Sequence, residues 1–217
     1  MGRLIATCVL LATGCRDVLA IHEPLSPCFH DDFDAADIDV IRWAPMNDLV
    51  ELLSVQAGGL VITPPKSMIG ESGIATIEPI DFTDGTLEAT VLTETAQGQL
   101  QTFFMVLTGD STGFGLITAD GNVIGREFTA GVDSPDGDTP PFDPTWTHWR
   151  IQHDSAASTI TLAVSADGRS YQTIRTLGGR PAPQVGVARL QAGIYSASPD
   201  PGVAVFDAFD ASGPSCP

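Results

Sequence analysis

From Phe29 to the C-terminus the chain is cut into about a dozen short runs of β-forming residues, separated by Gly, Pro, Asn and Asp. The runs are Leu49–Val55, Leu60–Thr63, Ile74–Ile77, Thr86–Leu92, Leu100–Thr108, Phe114–Thr118, Val123–Phe128, Thr147–His153, Thr159–Ser165, Tyr171–Leu177, Val185–Tyr195 and Val203–Phe209. Asp84-Gly85, Asp120-Gly121 and Asp167-Gly168 stand between runs and carry hairpin-turn chemistry, because Gly enters positive φ freely and Asp tolerates it. No segment shows a long apolar period of 3.6 residues with caps. This rhythm predicts an all-β, two-sheet antiparallel sandwich. Within Thr159–Ser165, Ile160, Leu162 and Val164 face one way; Trp149 and Ile151 share a face opposite His148, Arg150 and Gln152. Leu100–Thr108 is apolar on both faces and reads as a central strand, and Trp43 and Trp149 are assigned to the core. With 43% hydrophobic residues the chain can fill a core, which excludes an intrinsically disordered chain.

The first residues have a different character. Met1-Gly2-Arg3 is a short basic start, and Leu4 to Ala12 is an apolar run too short to cross a bilayer as a helix, which takes ~20 residues. A basic start and a short apolar run form an export signal. Leu11-Ala12-Thr13-Gly14-Cys15 then resembles the lipobox of bacterial lipoproteins, in which the cysteine receives lipid and becomes the new N-terminus. Ala12 departs from the Leu usual there. Two readings stay open: lipidation at Cys15, or ordinary cleavage after Val18-Leu19-Ala20. The expected organisation is a signal peptide over 1–14, a tether over 15–28 and one β-sandwich domain over 29–217. Arg16 directly after the cysteine, by resemblance to Gram-negative lipoproteins, favours the outer membrane or cell surface; a periplasmic or secreted soluble form is the alternative.

Charge narrows the partners. The formal net charge is −17, from 27 acidic and 10 basic residues, and removal of the signal takes away Arg3 and no acid. Such a chain repels phosphate backbones and anionic lipid headgroups, so nucleic acid is excluded and any membrane tether is the lipid itself. The same charge weighs against acidic polysaccharides and leaves neutral glycans or cation-bridged ligands. A monomer is expected.

Four cysteines take separate parts. Cys8 lies in the signal and Cys15 in the lipobox, leaving Cys28 and Cys216 at the two ends of the domain. In an oxidising compartment, and in a sandwich whose first and last strands are neighbours, these two can pair. Two unrelated thiols are the alternative. Cys28-Phe29-His30 has metal-ligand types but no second ligand pair at useful spacing.

The order of several short motifs resembles the concanavalin A-like lectin/glucanase jelly rolls, and in particular bacterial extracellular domains of unknown function that recur near carbohydrate-active enzymes. The carrying residues are Asp31-Asp32-Phe33; Gly59-Leu60-Val61-Ile62-Thr63-Pro64; Phe82-Thr83-Asp84-Gly85 with Leu87-Glu88-Ala89; Trp149-Arg150-Ile151 before His153-Asp154; Ser165-Ala166-Asp167-Gly168 leading to Tyr171; Val185-Gly186-Val187 running to Ala192-Gly193; and Pro201-Gly202-Val203-Ala204 running into Phe206-Asp207 and Phe209. The resemblance spans roughly residues 29–211. It implies a two-sheet jelly roll, often with a glycan-binding surface.

A glucanase of that superfamily would carry a Glu-x-Asp-x-Glu type strand, whose alternation puts carboxylates on one face. Here Glu88 to Glu94 is the nearest candidate, and its middle acid is missing. Gly109-Asp110-Ser111-Thr112-Gly113 matches the nucleophile elbow Gly-x-Ser-x-Gly but joins two strand runs with no helix after it, so a hairpin is expected. The acid-rich loop from Val132 to Asp143 offers weak Ca²⁺ candidates in Asp133, Asp136 and Asp138 without an EF-hand pattern, and no cofactor is otherwise expected. The best surface for a ligand is polar with aromatic neighbours: Trp146, His148 and Arg150 on one strand, Arg189 and Gln191 on another, with Tyr195 a further aromatic platform. The reading is therefore an exported, lipid-anchored, non-catalytic lectin-like domain that binds carbohydrate. A cell-envelope structural lipoprotein using the sandwich for protein contacts, and a divergent glucanase, are the alternatives.

Overall fold

The computed structural model describes residues 28–48, 50–66, 69–93, 100–108, 112–129, 132–134, 139–178, 185–196, 198–214 and 216. Its strands in chain order are β1 (Phe29–Asp31), β2 (Trp43–Pro45), β3 (Leu53–Gln56), β4 (Gly59–Ile62), β5 (Gly70–Thr76), β6 (Ile80–Asp81), β7 (Thr86–Thr93), β8 (Leu100–Leu107), β9 (Gly113–Ala119), β10 (Asn122–Thr129), β11 (Val132–Ser134), β12 (His148–Asp154), β13 (Thr159–Ser165), β14 (Gln172–Gly178), β15 (Val185–Ile194) and β16 (Ala204–Ser212). They form two eight-stranded antiparallel sheets. Sheet I runs β14-β13-β12-β7-β16-β4-β3, with β1 also on β16. Sheet II runs β11-β10-β9-β8-β15-β5-β2, with β6 also on β15. This is the two-sheet jelly-roll sandwich expected from the strand rhythm.

The core lies between the sheets and follows the alternation. Leu87, Ala89, Trp149, Ile151, Leu162, Phe206 and Phe209 point inward from sheet I; Ile74, Phe104, Val106, Leu116, Ala188 and Leu190 meet them from sheet II. The strand β8 is central between β9 and β15, as its two apolar faces require. At one corner Phe29, Trp43 and Phe209 pack ring on ring with centroids 5.2–5.5 Å apart. Asp31 fixes that corner: its carboxylate accepts from Trp43 Nε1 at 2.7 Å and from the Phe33 amide at 2.9 Å. The Asp31-Asp32-Phe33 motif therefore serves the core.

The chain ends meet. The first strand β1 pairs antiparallel with the last, Phe29 opposite Ala211, and Cys28 and Cys216 form a disulfide with their Cα atoms 5.4 Å apart. Asp120-Gly121 is a two-residue hairpin turn with both φ positive, 51° and 74°, between Ala119 and its partner Asn122.

Several boundaries differ from the sequence reading. Val50–Leu52 is a 3-10 turn, and the strand expected from residue 49 starts at Leu53. The short strands β1, β2, β6 and β11 lie in stretches too brief or too polar for periodicity to mark. Asp84-Gly85 does not close a hairpin, because the chain leaves β6 on the sheet II side and enters β7 in sheet I. Asp84 holds this crossing at a φ of 51°: its carboxylate accepts from Ser155 N and Ser155 Oγ, both at 2.7 Å, and its amide donates to the buried His153 Nδ1. These bonds hold its carboxyl below the ordinary carboxylate range. Cys15, Glu94, Asp136, Asp138 and residues 109–111 lie outside the described residues, as do the side chain of Asp133 and the signal and tether up to residue 27.

Candidate functional site

The outer faces of the two sheets differ. On sheet I, Arg150 stands between Ala163 and Glu88 in register. Its guanidinium ion-pairs with Glu88 and lies 3.5 Å above the Tyr171 ring, and Tyr171 donates to Glu88 at 3.0 Å. Burial and the Glu88 carboxylate push the Tyr171 phenol up to about 12. His148 sits beside Gly168. Trp146 leans against the core, and its carbonyl accepts from Trp149 Nε1 at 2.9 Å. Arg150 and Tyr171 thus converge on the same oxygen, Glu88 Oε1.

Sheet II carries a second set of side chains. Reading across its register, Arg126, Gly115, Met105, Arg189 and Ala75 form one row, and Ile124, Ile117, Phe103, Gln191 and Gly73 the next. Alternation points all of these away from the core. They are nonetheless sheltered. Phe103, Met105 and Ile117 are at most 5% exposed and form a cluster of their own, with Phe128 packed against it. Gly115 keeps this floor low, since a Cβ there would meet Met105 Cγ at 2.6 Å.

A group of polar residues around Gln191 lies at the β15–β5 side of this floor. Gln191 is 1% exposed. Its Nε2 donates to Glu71 Oε2 at 2.8 Å, and its Oε1 is buried with no hydrogen-bond partner. Tyr195, at the end of β15 and 53% exposed, donates to Glu71 Oε1 at 2.8 Å. Burial and that bond hold its phenol far above the ordinary tyrosine value. Arg189 Nε is likewise buried and unbonded; desolvation pulls its guanidinium down from its ordinary value, and the nearby Glu71 charge opposes that. A buried polar atom without a partner costs free energy, which sets Gln191 and Arg189 apart from the saturated backbone around them.

The structure therefore divides the five candidate residues. It brings Arg189 and Gln191 together, with Tyr195 beside them, and places Trp146, His148 and Arg150 on the other sheet. Glu71 went unmarked in sequence because Gly70–Thr76 showed no acidic motif; only the pairing of β5 with β15 makes it the hub. Among the described residues, no three His, Cys, Asp or Glu side chains gather as a metal site.

The fold is that of a concanavalin A-like jelly roll. Similar solved structures agree over nearly their whole length. The Bacillus licheniformis β-glucanase superposes with a TM-score of 0.66 at 11% identity, covering 85% of this chain and 97% of that one. A glycosyl hydrolase family 16 protein from Mycobacterium smegmatis gives 0.65 at 13% identity, covering 84% and 98%. A lichenase derived from a mouse hindgut metagenome gives 0.60 at 12% identity, covering 85% and 98%. At this identity the likeness is one of fold. No protein-family model and no curated protein sequence matches the chain.

Proposed function

We propose that this protein is a non-catalytic, lectin-like carbohydrate-binding domain, exported and anchored through lipid at Cys15, that holds its ligand on the outer face of sheet II. The observation that carries the reading is Gln191, almost wholly buried on an outward-facing strand position with Oε1 unbonded. Sugar hydroxyls can donate to that oxygen and accept from Arg189. The exposed Tyr195 ring offers a surface to the apolar C–H face of a pyranose. The fold shared with glucanases supports the same class of ligand by analogy.

Catalysis finds little support on this face. Glycoside hydrolysis takes two carboxylates about 5–9.5 Å apart flanking the scissile bond. Among the described strand side chains that point outward from sheet II, the carboxylates are Glu71, both of whose oxygens are already bonded, and Asp81, which accepts from Thr83; opposite Gly193 and Val185 they stand eight β15 positions, about 27 Å, apart. On sheet I, Glu88 stands in register with Asp210, and Arg150 and Tyr171 both bond to its Oε1.

A protein-contact role has one observation in its favour. Val40 and Ile41, at the turn before β2, are 72% and 82% exposed. A glycan array probed with the full chain tests the lectin reading: bound glycans support it, and a blank broad array sinks it. For the anchor, Cys15→Ser should move the protein out of the membrane fraction, and unchanged fractionation would refute lipidation there.

A further inference from the structure

Resting on the glycan-binding reading of sheet II, we propose that the site recognises the N-acetyl group of a neutral 2-acetamido sugar. Two atoms carry the inference: Gln191 Oε1, buried without a donor, and Arg189 Nε, whose buried N–H has no acceptor. Chemistry sets the orientation of Gln191. A carboxylate only accepts, so the Gln191 group 2.8 Å from Glu71 Oε2 is the amide nitrogen, and Oε1 is the end left over.

Arg189 and Gln191 stand two residues apart on β15, on one face and about 6.7 Å apart at Cα. Their cross-strand neighbours are apolar: Met105 and Phe103 on β8, at most 5% exposed, and Ala75 and Gly73 on β5. None of these four has a side-chain nitrogen or oxygen. Glu71 balances the charge of Arg189 through its field while its two oxygens bond Gln191 and Tyr195. The pair therefore lacks one donor and one acceptor, and not a counter-charge.

A secondary amide supplies that donor and that acceptor and nothing more. Its N–H donates to Gln191 Oε1 and its carbonyl accepts from Arg189 Nε–H. The two groups point opposite ways and bridge partners up to about 8 Å apart. The acetyl methyl is left for the apolar side, Met105 and Phe103. A pair of neighbouring hydroxyls fits worse. Each hydroxyl brings a donor as well as lone pairs, so one bond to Gln191 or Arg189 leaves the rest of its capacity desolvated against the apolar strip. The Tyr195 ring, tied to the second oxygen of Glu71 and half exposed, receives the apolar C–H face of the pyranose. A neutral ligand also meets no repulsion from the net charge of −17.

The test is calorimetry of the full chain with two β-1,4-linked tetramers, one of N-acetylglucosamine and one of glucose, which differ only in acetamido against hydroxyl at C2. The acetamido tetramer should bind at least about tenfold tighter, and raising salt from about 50 to 150 mM should leave that gap unchanged. Gln191→Met and Arg189→Lys each remove one of the two bonds, and each should cut the gap to about threefold or less. The comparison of tetramers on wild type decides the matter if a variant misfolds. A glucose tetramer that binds as tightly would overturn this inference and leave the glycan reading standing. A gap left intact by both variants, each folded by circular dichroism, would overturn it as well. If neither tetramer binds, the glycan array decides: bound glycans that all carry an acetamido group support the inference, and bound glycans without one overturn it alone. A blank array would overturn both.

Discussion

Gln191 reaches Glu71 diagonally. The register pairs Glu71 with Gly193 and Gln191 with Gly73, yet Nε2 of Gln191 lies 2.8 Å from Glu71 Oε2. The diagonal is open because Gly193 has no side chain; a Cβ there would come within 2.7 Å of Glu71 Cγ. Gly193→Ala should displace Glu71 and free both Gln191 and Tyr195. We expect about 1–3 kcal/mol of lost stability and at least about tenfold weaker glycan binding. Calorimetry and urea melts read the two effects separately. Unchanged affinity would show that Glu71 does not position the site.

The core corner depends on a carboxylate. Trp43 is fully buried, and its indole N–H is answered by Asp31. Asp31→Ala strands that donor and should cost about 1–3 kcal/mol in urea unfolding, with Asp31→Asn costing less because its side-chain oxygen still accepts. Equal losses for the two variants would contradict the hydrogen-bond account.

The Cys28–Cys216 bridge closes a loop of 188 residues. The chain-entropy model puts its contribution at about 5 kcal/mol as a ceiling. Cys28→Ser/Cys216→Ser should therefore unfold at much lower urea, and reduced wild type should match it. A double variant as stable as the oxidised wild type would show that β1–β16 pairing alone holds the ends.

The chain has two tyrosines, and both phenols are raised, Tyr171 to about 12 and Tyr195 further. Folded protein should show no phenolate absorbance as pH passes 10, the ordinary value, while protein in denaturant titrates there. The sign follows from linkage. A phenol raised by folding contributes stability that is fully present below pH 10 and is lost as pH climbs toward its folded value. Unfolding should thus accompany ionisation above pH 10, and a tyrosine titrating near 10 in folded protein would contradict its placement.

Much of the fold was legible because alternation is a local signal. Trp149, Ile151, Leu162 and Val164 announce their face within a few residues, and Asp120-Gly121 announces its turn. What stayed hidden depends on partners far along the chain. Asp84 crosses between sheets because Ser155 and His153 receive it. Arg150 was legible as outward-facing, but its ion pair with Glu88 and its stacking on Tyr171 were not. Arg189 and Gln191 were named from their alternation on one strand, whereas Glu71, about 120 residues away, joins them through the β5–β15 register. Sequence could not tell that Trp146, His148 and Arg150 belong to the other sheet, since which strands neighbour each other is a property of topology.

Paired variants on a glycan array decide between sheet II and sheet I as the ligand-binding face. Wild-type full chain should bind a defined set of glycans, Gln191→Leu should lose them while remaining folded by circular dichroism, and Arg150→Ala should keep them. Binding that survives Gln191→Leu and disappears in Arg150→Ala would instead place the site on sheet I.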